Sequence, residues 1–182
     1  MAIDSQTTYM VAALVCASIA SLYDLRTRRI PNKLTLWAIV CGLILHFWKG
    51  GPAELGLSAL AGLIGGGLFL LFFMAGGMGG GDVKLMAAVC CLAGTGNIKD
   101  VLISTVLIGA AMGIALALYR GQLRRILGNV VKLVKHHNAV GLAAHPEINV
   151  KNQNSLRLPY ALPIAAGCLV TIMLASGKGL VR

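Results

Sequence analysis

The stretch Glu54–Ala75, ELGLSALAGLIGGGLFLLFFMA, carries a single charged residue, at its first position. As a helix it would run roughly 33 Å at 1.5 Å per residue, close to the ~30 Å hydrocarbon core of a bilayer. Within it Ser58, Gly62 and Gly66 stand four apart, the spacing that lets helix backbones approach closely in lipid. Five more apolar runs lie around it, near Thr8–Tyr23, Leu34–Trp48, Val83–Thr95, Val101–Tyr119 and Leu158–Ala175. The predicted fold class is therefore all-α, a polytopic membrane protein bundling about six transmembrane helices. The runs at 34–48 and 83–95 are short, about 20 Å each. A second small-residue ridge, Thr105, Gly109, Gly113 and Ala117, marks the fifth span for close packing.

Composition agrees with this reading. Of 182 residues 57% are hydrophobic and 12% charged, about half the charged share usual for a soluble domain, and the mean hydropathy is +0.80. Six spans occupy most of residues 1–182, so a single membrane-embedded domain is expected, with a basic connection at about 120–157. The net charge of +10 would suit nucleic acid, but its distribution reads as topology, and no nucleic-acid partner is expected. Twelve of the sixteen Lys and Arg fall in the connections after spans one, three and five. Positive loops stay cytoplasmic, which places both termini outside. The first run is not read as a cleavable signal peptide, because Asp4 precedes it and its basic cluster follows it. Cys16, Cys41, Cys90, Cys91 and Cys168 form no CxxC pair and read as small core residues.

In the basic connection, Leu123, Ile126, Leu127, Val130, Val131 and Val134 follow a helical period opposite Arg124, Arg125, Lys132 and Lys135. That division predicts a helix lying in an anionic headgroup region. His136, His137 and His145 lack a carboxylate or thiolate at ligand spacing, so no metal or other cofactor is expected.

Four of the six acidic residues, Asp4, Glu54, Asp100 and Glu147, sit where water can reach them. Asp24 and Asp82 each adjoin the cytoplasmic end of an apolar span, where an ionisable group is costly and a functional candidate by default. Asp24 precedes Arg26-Thr27-Arg28-Arg29-Ile30-Pro31-Asn32, in which the proline separates two helices. Its plainer role is a partner for Arg26 or Arg28. Asp82 follows Gly76-Gly77-Met78-Gly79-Gly80-Gly81, five glycines in six positions, which is no comfortable helix. Such backbone is tolerated at membrane depth where it is buried in protein or lines a wet cavity. Two ionised carboxylates ~4 Å apart would repel by about 4 kcal/mol at an effective dielectric of 20, so a close pair would share one proton. One member could then take a proton from water while the other donates to a carbonyl oxygen, hydrolysing an amide without metal or side-chain nucleophile.

These residues resemble the prepilin peptidases, or type IV leader peptidases, which are membrane-embedded aspartic proteases. The resemblance rests on Asp24 with its Arg-Thr-Arg-Arg-Ile-Pro-Asn flank, on Gly79-Gly80-Gly81-Asp82-Val83-Lys84-Leu85 as a GxGD motif, and on Leu158-Pro159-Tyr160-Ala161-Leu162-Pro163 at the last span. It implies an enzyme of the inner (cytoplasmic) membrane, multi-pass, with Asp24 and Asp82 as the catalytic pair facing the cytoplasm. Its substrates would be prepilin and pseudopilin precursors with short cytoplasmic leaders, Flp-type ones fitting the compact form best. Gly79, Gly80 and Gly81 would receive the substrate, while Lys84 would bind it or orient Asp82 by charge. Larger relatives also methylate the new N-terminus, using an insertion preceded by a four-cysteine zinc site. This chain shows neither, so methylation is not expected. A homodimer is compatible with the sequence. The competing readings are a proton- or ion-coupled transport component, which would show flux dependent on Asp82, and a catalytically silent assembly subunit, in which aspartate substitution would be harmless.

Overall fold

The computed structural model describes residues 5–75, 77–121, 128 and 159–180. They form α1 (Ser5–Thr27), α2 (Asn32–Met74), α3 (Gly80–Ala93), α4 (Ile98–Tyr119) and α5 (Ala161–Leu180), with no strand among the described residues. The amphipathic segment expected at 123–134, the three histidines after it and most of the basic connection lie outside the described residues, as does Gly76.

Local chemistry sets the ends of these helices. Arg28 takes a left-handed conformation (φ 53°), and its N–H donates to the Asp24 carbonyl at 2.9 Å, which closes α1. Pro31 then cannot continue a helix; extended at ψ 128°, it caps α2 and accepts from the N–H groups of Leu34 and Thr35.

The runs expected as separate spans at 34–48 and 54–75 form two helical limbs of α2, which parts at Gly51 (φ 70°, ψ −159°) just before Pro52. A positive φ favours glycine, and proline removes a backbone donor, so the ladder fails there for a local reason. The two limbs fold back on each other. Gly42 and Gly62 would stand about 30 Å apart in a straight helix, yet both abut Cys91 of α3. Near the reversal the buried His46 ring stacks on Tyr9 at 3.9 Å between centroids, its Nε2 lies 3.2 Å from the Leu92 carbonyl, and its Nδ1 faces Glu54 at 3.6 Å.

α3 explains its own shortness. Eight of its residues, from Leu85 to Ala93, are buried, because this short apolar helix packs chiefly against α2 and α1, while α4 packs on α5. The first small-residue ridge meets it as expected: Ser58 Oγ donates to the Cys91 carbonyl at 2.8 Å, and Gly62 and Gly66 face Ala87. The second ridge does so in part. Thr105 adjoins Gly167 and Gly109 adjoins Pro163 and Tyr160 of the α5 region, whereas Gly113 faces open space. The five cysteines are free thiols, all buried except Cys41.

By length and apolarity α1, α2 and α4 can cross a bilayer, and α5 carries a shorter apolar stretch. Their outward faces carry Leu63, Leu107 and Met173, with Trp48 and Tyr119 exposed near helix ends, the distribution of a protein bathed in lipid with aromatic rings at the interfaces. The protein is an all-α membrane protein.

Candidate active site

Buried positions along α1 step through Met10, Ala13, Ala17 and Ala20–Ser21, a three-and-four spacing that ends on Asp24. Along α3 the same spacing runs backward through Ala93, Val89 and Met86 to Asp82. Each aspartate thus stands at the end of a helix's inward stripe, and both are half-buried. Asp24 occupies the last turn of α1 and Asp82 the first turn of α3. The flanking residues join the two ends. Lys84 Nζ donates to Asn32 Oδ1 at 3.1 Å, and the side chain of Ile30 lies against Gly81. Asp24 and Asp82 come close enough for the charge of one to bear on the other.

The glycines hold Asp82 in a particular way. Gly79 is extended and its N–H donates to Asp82 Oδ2 at 3.2 Å, so the carboxylate caps its own helix. Gly80 and Gly81 are helical, the first two residues of α3. The expectation that the whole glycine run would resist helix is corrected there, because the cap at Gly79 supplies the start signal. Met78 is buried in the core and anchors the approach.

The third side of the site comes from the amino end of α5. Tyr160 lies within electrostatic reach of Asp82. The backbone N–H of Ala161 and the side chain of Arg28 both stand near enough to act on the charge of Asp24. The Ala161 carbonyl accepts from Ser21 Oγ at 2.8 Å. Three sequence segments, around Asp24, Asp82 and Ala161, therefore meet at one end of the molecule. Of the two roles open to Lys84, substrate binding or orienting Asp82, the contact recorded is a different one, to Asn32. Neither Ser21 nor the Lys84–Asn32 bond stands out in the sequence. The sequence does carry a signal for Ser21, which lies one helical turn before Asp24 on the same face.

Two half-buried carboxylates within electrostatic range can divide acid and base roles between them. Among the described residues no three His, Cys, Asp or Glu side chains gather as a metal site.

Residues 11–118 match the type IV leader peptidase family. The chain is 34% identical over 120 residues to proteins from two strains of Burkholderia pseudomallei, 1026b and K96243, each described as prepilin leader peptidase/N-methyltransferase. That match covers 60% of this chain and 38% of each relative, so the chain spans well under half the length of the curated relatives it matches. No solved structure matches it.

Proposed function

The chain belongs to the type IV leader peptidase family, and from that premise we propose that it is an intramembrane aspartic endopeptidase which removes the cytoplasmic leader of prepilins, Flp-type ones included. Asp24 and Asp82 are its catalytic pair, and they serve the hydrolytic half of the relatives' paired activity. The enzyme crosses the inner membrane six times, the two limbs of α2 counting separately, and its aspartates face the cytoplasm. The observation that carries the reading is the junction of the segments that bear these two carboxylates, 58 positions apart in sequence, through the Lys84–Asn32 hydrogen bond and the contact of Ile30 with Gly81.

With one proton shared between them, the ionised member takes a proton from a water while the water oxygen adds to the scissile carbonyl carbon. The protonated member donates to the carbonyl oxygen as it gains charge. Collapse of the tetrahedral intermediate breaks the C–N bond: the departing nitrogen receives the proton held by the first carboxyl, and the second carboxylate takes back a hydroxyl proton as the new C=O forms. The carboxyl end of the leader and the amino end of the mature pilin leave, and the pair again holds one proton.

The test is cleavage of a co-expressed Flp-type prepilin in membranes by wild type, Asp24→Asn and Asp82→Asn, with insertion of each checked. Each substitution should lower cleavage by on the order of 10²–10⁴, the span usual for a general acid or base. Cleavage that persists without either carboxylate would reject the pair.

A further inference from the structure

Ser21 is 5% exposed, and its hydroxyl lies 2.8 Å from two carbonyl oxygens, those of Ala17 in its own helix and Ala161 at the start of α5. A bond to the carbonyl four residues back is ordinary for serine in a helix. The second contact joins residues 140 positions apart. Ala161 is fully buried and is the first residue of α5, so its N–H is one of the donors that a helix start leaves without a partner in its own ladder. That N–H lies near enough to the carboxylate of Asp24 to act on its charge. One turn of α1 therefore meets Ala161 twice: Ser21 Oγ donates to its C=O, and Asp24, one turn further on, lies near enough for its N–H to act on the carboxylate charge. Asp82 has its own backbone donor, Gly79, supplied by its own helix. The backbone group that acts on Asp24 belongs instead to the start of α5, a distant segment of the sequence.

We propose that Ser21 is a positioning residue for hydrolysis. By holding the Ala161 carbonyl it fixes the amino end of α5, with Tyr160 and Ala161, at the end of the bundle where the two aspartates lie. The inference rests on the peptidase reading above and adds to it a specific anchor for the third side of the site. Ser21 touches neither water nor substrate in this role, so its loss should disturb the reacting geometry more than leader binding. An error of about 1 Å in such a geometry costs on the order of a hundredfold in rate.

The experiment compares wild type, Ser21→Ala, Ser21→Thr and Ser21→Val in prepilin cleavage, with kcat expressed per folded molecule and KM measured alongside. Threonine and valine have nearly the same shape, so the ratio between those two isolates the hydroxyl whatever their common cost in packing. Ser21→Ala should lower kcat roughly ten- to a hundredfold and leave KM within about twofold, and Ser21→Thr should exceed Ser21→Val at least tenfold in kcat. Equal kcat for Ser21→Thr and Ser21→Val, or wild-type kcat for Ser21→Ala, overturns the inference while the peptidase reading stands. If wild type itself leaves the prepilin uncut, the peptidase reading fails and the inference falls with it.

Discussion

Gly81 shows how closely the segments around the two aspartates approach. A Cβ placed there would lie 3.4–3.6 Å from the Ile30 side chain, which is ordinary contact. Gly81→Ala should therefore keep most of its cleavage activity, and in a helical position it also gains helix propensity. Gly81→Val adds two methyl groups to the same space, and overpacking of that kind costs about 1–3 kcal/mol. The strain would move Ile30, and with it the segment that follows Asp24. We expect kcat/KM to fall roughly ten- to a hundredfold while insertion is normal, and wild-type cleavage by Gly81→Val would show that the approach is not needed. Lys84 is tested in a different way. If its bond to Asn32 is its main service, Lys84→Ala and Asn32→Ala should each weaken cleavage several-fold and the double variant no further. A rise in KM confined to Lys84→Ala would instead assign it to the leader.

At the scale of elements, the contact between α2 and α3 depends on glycines with different surroundings. A Cβ on Gly62 would sit 3.1 Å from the Ala87 carbonyl oxygen, a backbone atom that cannot easily give way, whereas Gly67 has nothing within 4 Å. Gly62→Ala should lower thermal stability in detergent by about 1–3 kcal/mol. Gly67→Ala should be neutral or raise it by up to about 1 kcal/mol. Equal effects would mean that the two helices are not in the contact described. Much of this layer was legible in advance, because Ser58, Gly62 and Gly66 and the Pro31 break are local patterns with local causes. Gly113 belonged to an equally regular pattern and faces open space, since spacing specifies a face and not the helix that covers it. The two aspartates could be found from sequence because a carboxylate at the end of an apolar run is conspicuous. Ser21 could not be found so readily: a serine among alanines looks like packing until its partner, 140 residues away, is known.

For the whole molecule, the questions are which face carries the dyad and whether the chain reverses at Gly51. Arg29, just after α1, and Lys49, at the end of the first limb of α2, are separated by the length of that limb, about 26 Å over residues 32–49. Basic residues crowd the connection that holds Arg29, and their retention on the cytoplasmic side would orient everything else. Both side chains are exposed, which suits them to cysteine substitution, and of the native thiols Cys41 is exposed and would be replaced first. In intact spheroplasts a membrane-impermeant maleimide should label Lys49→Cys directly and Arg29→Cys after permeabilisation alone. The reverse pattern would put Asp24 and Asp82 on the outer face, out of reach of a cytoplasmic leader, and would overturn the proposed substrate without touching the fold. Labelling of both from the same side would contradict the first limb of α2 as a crossing. The paired result expected here would orient that limb, and the bonds from Asn32 to Lys84 and from Ser21 to Ala161 would then carry α3 and α5 to the same cytoplasmic mouth.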